Sequence, residues 1–234
     1  MSLSAPILQF LVVFAVAVWG RFPCLARTQP EIDDNYLADR NAEAVATPPE
    51  ERAWPATYEP LLAMEPIPDF MNERRWPFGT GYAGTTPPTA EQWQTARAYI
   101  SEHQGHLAEL RTAAGLPALG IVLSDVVGQV YAPLAAAARG YAFKPDTPTE
   151  NPPMWDILLP HLGDMRLSAK LLTTDALIAA QDGQSGRVID DIGALNNLAR
   201  LSGNGLSLIE QLNAVQIETT AHETIAQILT EHVS

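Results

Sequence analysis

The sequence predicts an all-α protein: an antiparallel helix-hairpin bundle preceded by an extended arm rich in proline and aromatic residues. Three observations predict it. Leu162, Met165, Ala169, Leu172, Ala176 and Ala179 recur at alternating intervals of three and four, which puts them on one face of a helix. Val188, Ile192, Leu195 and Ala199 repeat that spacing after a short Gly-containing turn at Asp182-Gly183, and such a turn makes antiparallel neighbours of the helices it joins. Before Thr89, by contrast, Pro48-Pro49, Pro55, Pro60, Pro66, Pro68, Pro77 and Pro87-Pro88 recur too often for a helix of useful length.

Residues 1–26 read as a signal peptide or a membrane anchor. The run from Ile7 to Trp19 is apolar except for Gln9, as the core of a secretory signal is, although Met1 to Pro6 carries no Lys or Arg. Cys24-Leu25-Ala26 and Val18-Trp19-Gly20 each offer a cleavage point. Residues 3–20 nearly reach the length of about 20 that spans a bilayer. Left uncleaved, the run would attach the chain to a membrane, with Arg21 and Arg27 on the cytoplasmic side. The expected location is therefore extracytoplasmic, periplasmic or secreted, or membrane-anchored. Cys24 is the sole cysteine and falls inside or beside this segment, so the processed chain needs no disulfide and has no thiolate chemistry.

Residues 27–88 divide in two. Thr28 to about Arg52 reads as a flexible acidic tether. Trp54 to Tyr82 reads as an arm that lies against something, because Trp54, Tyr58, Leu61, Leu62, Met64, Phe70, Met71, Trp76 and Phe78 are more apolar than a disordered segment carries. Wrapping around its own helical domain is the favoured reading, and docking onto a partner chain is the alternative.

Residues 89–234 form the helical domain. Thr89 and Gln92 have the form of a capping box, the hydroxyl accepting from an amide three residues on while the Gln side chain reaches back. The helix they open is expected to run to about Ala114, where Gly115 and Pro117 stop it. Ile121, Val122 and Leu123 read as a short strand or buried turn, Tyr131 to Tyr141 as a helix, and Pro145 to Pro153 as a loop. After the hairpin, Gly203-Asn204-Gly205 breaks the chain, Ser207 and Glu210 supply a second capping box, and a last helix runs from Leu208 towards His232. On it Leu208, Val215, His222 and Leu229 fall seven apart, a seam that packs back on the hairpin or meets another chain.

The stretch LLPHLGDMRLSAKLLTTDALIAAQDGQSGRVIDDIGALNNLARLSGNGLSLIEQLNAVQIETTA resembles a segment of uncharacterised exported helical proteins of bacteria. Those proteins share an apolar N-terminal segment, a stretch containing Trp and Pro, and helix pairs of this kind. The resemblance implies no activity and no functional residue. The hairpin is also similar to one tetratricopeptide-type pair, of which about three make a stable stack.

Composition narrows the partners. The net charge is -13, and between Thr28 and Arg75 eleven Asp or Glu face four Arg. Nucleic acid is excluded as a partner on this balance, since phosphate binding rests on clustered Lys and Arg. Several chemical motifs come close and fail. Gly79, Gly81 and Gly84 match G-x-G-x-x-G, but Pro77 precedes and Pro87-Pro88 follows, where a strand and a helix are required. His222-Glu223 opens a zincin-like sequence, but Ala226 stands at the second ligand position, so His222 is expected as a core or interface histidine. His103 and His106 share a helical face near Glu102 and Glu109 but lack a further ligand. Asp190 and Asp191 diverge by about 100° on a helix and are expected to decorate its start, where negative charge is favourable.

No catalytic, cofactor-binding or metal-binding residue is therefore assigned, and no cofactor. The function expected is that of an exported, non-catalytic helical scaffold, meeting a protein partner or its own copy through the C-terminal helix. The alternative is an extracytoplasmic hydrolase with its site between the arm and the hairpin.

Overall fold

The computed structural model describes residues 36–73, 76–78, 87–121, 159–205 and 207–232. The leader, the Gly79–Gly84 loop, Val122 and Leu123, the Tyr131–Tyr141 helix and the Pro145–Pro153 loop lie outside the described residues. Within them the fold is all-α. The helices are α1 (Tyr36–Ala46), α2 (Ala53–Ala63), α3 (Asp69–Asn72), α4 (Ala90–Glu102), α5 (Gln104–Ala114), α6 (Pro160–Gln181), α7 (Ser185–Gly203) and α8 (Leu208–His232). A single 3-10 turn covers Pro49–Glu51. The described residues contain no strand; the isolated bridge between Arg52 and Ala118 is parallel.

Local chemistry sets the helix ends. Thr89 accepts from the Gln92 amide at 3.1 Å while Gln92 accepts from the Thr89 amide at 2.8 Å, so both halves of the first capping box form. Helix α6 ends in a Schellman motif. The Gln184 amide donates to the Ala179 carbonyl at 2.8 Å and the Gly183 amide to Ala180 at 3.1 Å. Gly183 itself sits at φ +69°, the left-handed region that a side chain would strain.

Helices α6, α7 and α8 pack on one another. Asp175 and Asp191, each eight residues from Gly183, meet on the same arginine, Arg111, so α6 and α7 run in opposite directions. His161 faces Glu210 near the start of α6 and α8, and the Thr224 hydroxyl approaches that of Thr173 at 3.5 Å further along. These two helices therefore run in the same direction.

The arm departs from expectation. Thr28–Arg52 contains α1, and the region expected to be extended contains α2 and α3. Proline does not forbid these helices because of where it falls. Pro55 lies in the first turn of α2, where an amide would have no intrahelical acceptor. The free amides beside it, Ala53 and Trp54, donate instead to the Ala118 and Leu119 carbonyls at 2.8 and 2.9 Å. Pro60 does remove a helical bond from the interior of α2. Burial of Trp54, Tyr58 and Leu61 around it offsets that loss, at about 1.5–3 kcal/mol for each large apolar side chain.

The arm belongs to the bundle's own core. Trp54, Leu61, Met64, Met71 and Trp76 lie in one buried cluster with Ile100, Leu107, Met165, Leu172, Leu195 and Ile217. Trp76 sits between Phe70 and Trp93, with ring centroids 4.8 and 5.1 Å away. Its indole N–H donates to the Thr174 hydroxyl at 2.9 Å. The Lys170 ammonium donates to the Asn72 and Glu73 carbonyls at 2.9 and 2.7 Å, and the Tyr99 hydroxyl donates to the Met64 carbonyl.

The long helix expected from Thr89 to Ala114 is also two. It breaks at His103 (φ -105°, ψ 20°), which ends α4 and begins α5. Gly105 lies just beyond the break, and the polar run Glu102-His103-Gln104 offers little apolar surface to hold one continuous axis.

Candidate functional site

Of the residues weighed from sequence, the structure redistributes most. His103 and His106 are close, with ring centroids 6.2 Å apart, but each already has a neighbour of its own. His103 Nδ1 lies 2.8 Å from the Tyr99 carbonyl and His106 Nδ1 lies 3.2 Å from Glu109 Oε2. Among the described residues no three His, Cys, Asp or Glu side chains gather as a metal site would need. His222 is exposed and not in a core, because the face of α8 that carries it turns outwards.

Asp190 and Asp191 diverge, but Asp191 does not decorate the helix. Asp190 is exposed, whereas Asp191 is fully buried between helices. Its Oδ1 accepts from Arg111 Nε at 2.6 Å, and Arg111 Nη2 pairs with the equally buried Asp175. Arg187 Nη2 reaches Asp175 Oδ1 at 3.1 Å, and Gln104 donates to that oxygen at 3.0 Å. Burial pushes the Asp191 carboxyl up to about 8; the neighbouring Asp175 charge adds to this, and Arg111 opposes it. Asp191 therefore favours its protonated form more than an ordinary carboxyl does, while Asp175 lies between the Arg111 and Arg187 guanidinium groups. The cluster ties α5 to α6 and α7. Two close carboxylates resemble acid–base machinery, yet both are sealed from solvent and paired with arginine, so they hold the fold together. The only sequence signal was the equal spacing of the two aspartates about the turn.

A second polar cluster joins α6 to α8. His161 and Glu210 are both buried, with Nε2 and Oε1 3.4 Å apart at angles short of a formed hydrogen bond. Glu210 Oε2 accepts from the Ser207 amide at 3.0 Å and the Glu210 amide donates to the Ser207 hydroxyl at 3.1 Å, completing the second capping box. Burial alone would raise the Glu210 carboxyl. The His161 imidazole and the Ser207 donors outweigh it and hold the group below its usual range. Asn213 donates to Ser202 Oγ at 2.9 Å, and the Trp54 ring stands edge-on to His161 with centroids 6.0 Å apart. A Cβ at Gly205 would collide with the Glu210 side chain, so the turn before α8 requires a glycine there.

Between the arm and the pair α6–α8 runs a groove of about 700 Å³, lined by Glu65, Asn72, Asp164, Arg166, Lys170 and Gln216 among others. The Lys170 ammonium is held down from its usual value by burial first and by Arg166 second, with Glu73 opposing. It is engaged by two backbone carbonyls. Arg166 Nε donates to the Leu162 carbonyl at 3.0 Å.

The outer face of α8 is the opposite kind of surface. Leu208, Ile209, Leu212 and Val215 are 74, 59, 60 and 58 % exposed, and Leu229 is 42 % exposed. The inner face of the same helix buries Glu210, Asn213, Ile217, Ala221 and Thr224. No described helix is long and apolar enough to cross a membrane. No protein family, no curated protein and no solved structure matches the chain.

Proposed function

We propose that this chain is an exported, non-catalytic helical scaffold that works by contact, with the outer face of α8 as its contact surface. One observation carries the reading. Four large apolar side chains within eight residues, Leu208, Ile209, Leu212 and Val215, are each more than half exposed. Contiguous apolar patches on a soluble domain mark interaction sites, because apolar area left in water forgoes about 25 cal/mol per Å². Export rests on the apolar leader, in residues 1–26. The buried polar clusters support the same reading, since their charges already serve one another. Light scattering on the purified chain, with crosslinking in the native cell, tests it. Assembly or a crosslinked neighbour mapping to α8 is expected. A strict monomer with no neighbour overturns it.

A hydrolase with its site between arm and bundle is the second reading, favoured by the Glu65, Asp164, Arg166 and Lys170 side chains that share the groove. It is the weaker one, because Lys170 is tied to the arm's backbone and the groove pairs no described nucleophile with a base. Ester or peptide hydrolysis that disappears in a folded Lys170→Met variant would reverse the order.

A further inference from the structure

We propose that α8 pairs antiparallel with α8 of a second copy of this chain; the proposal rests on the contact-surface reading above and names its partner. Residues Leu208, Leu212, Val215, Thr219, His222, Ala226 and Leu229 follow one another at alternating steps of four and three, and all seven are exposed. That is the spacing of a coiled-coil seam, in which one series of positions packs against the other series of the facing helix. The buried residues Glu210, Asn213, Ile217, Ala221 and Thr224 occupy the remaining side of the heptad, so seam and core attachment do not compete.

The seam is self-complementary in the antiparallel sense. Setting Leu212 against the partner's Leu229 puts Val215 against the partner's Ala226 and Thr219 against the partner's His222. Because the pairing is two-fold symmetric, every layer occurs twice. The large residues meet towards the ends and the small or polar ones near the dyad. The Thr219 hydroxyl donates to the Val215 carbonyl at 2.8 Å, which leaves its oxygen lone pairs for an imidazole N–H of the partner's His222. A polar layer of this kind fixes register.

Charge decides the direction. No seam residue is ionised as Asp, Glu, Lys or Arg, in a chain of net charge -13, so two copies can meet without desolvating a carboxylate. The flanking acids are Glu218 and Glu223. An antiparallel pair sets Glu218 beside the partner's Ile225 and Glu223 beside the partner's Gln216, so neither carboxylate meets another. A parallel pair would set Glu218 beside the partner's Glu223 on both flanks, two like-charge contacts that disfavour it.

Disulfide trapping in the full-length chain, with Cys24→Ser as background, tests this. Single Leu212→Cys and Leu229→Cys variants are purified, then oxidised alone and as a mixture, alongside light scattering of the unmodified chain. Both sites are exposed, so the fold is expected to survive, and circular dichroism checks it. The expected result is a mass twice that of one chain, a disulfide joining the two variants in the mixture, and none within either variant alone. A Leu212→Cys chain that crosslinks to itself shows parallel pairing and overturns the proposal. So does a monomer. A monomer whose native-cell crosslinks still map to α8 removes self-pairing and leaves the contact surface standing, whereas a monomer without neighbours removes both.

Discussion

The α6–α7 contact and the outer face of α8 invert the usual distribution of side chains in opposite ways. The first buries two aspartates and most of two arginines; the second exposes four large apolar residues within eight positions. The inversions differ in what completes them. Each buried carboxylate has a guanidinium within the same fold, so the contact is closed. The α8 face finds no complement in the described part of the fold. A buried charge matched within the fold is therefore no guide to function here, whereas the exposed apolar face of α8 is the surface on which the proposed contact rests.

The largest expected effect tests the closed side. Arg111→Met removes the bridge and leaves Asp175 and Asp191 facing one another, and breaking a buried pair costs about 3–5 kcal/mol. Urea unfolding monitored by circular dichroism measures it. A loss below about 1 kcal/mol would mean the cluster is dispensable and the contrast with α8 false.

A pH series sharpens the same point. Asp191 carries its proton up to about 8 in the folded chain against an ordinary 3.8, chiefly through burial. Between those values the folded chain binds more protons than the unfolded one, so Asp191 makes stability fall as pH rises, by up to about 1.4 kcal/mol per pH unit. Most carboxylates do the reverse. Glu210, held below its usual range, contributes stability that is lost as pH falls into the acid region. Asp191→Asn should flatten the decline from about pH 4 to 8, read as the denaturation midpoint across that range. An unchanged slope would put the proton elsewhere.

Smaller still is the cap that attaches the inner face of α8. Ser207→Ala removes the acceptor for the Glu210 amide and should cost about 1 kcal/mol in the same unfolding assay. The smallest effect on folding belongs to the open side. Leu212→Lys, at a position 60 % exposed, should change stability by no more than about 0.5 kcal/mol while abolishing any assembly seen by light scattering. A variant that unfolds instead would show that this residue serves the fold.

Elements are readable where the chemistry is local. Thr89 and Gln92 announce a helix start because both groups lie within one turn, and Gly183 announces a stop because its positive φ depends on its own missing Cβ. The alternating apolar spacing from Leu162 to Ala199 marks two helices for the same reason. The arm misleads because a count of prolines ignores their place. In α2 one of them stands where a helix lacks a bond anyway, and a carbonyl pair at Ala118 and Leu119 satisfies the amides beside it.

The order of residues along the chain is enough to specify an all-α protein and the points where its helices turn, since period and capping depend on residues a few positions apart. Packing in three dimensions was needed to choose which face of α8 meets the core and which meets solvent. Packing also put Asp191 in the interior and left Asp190 outside, and it linked Arg111 to residues 64 and 80 positions away. Those outcomes rest on long-range partners. A heptad marks a stripe along a helix, but whether the stripe is buried depends on which other helix reaches it first.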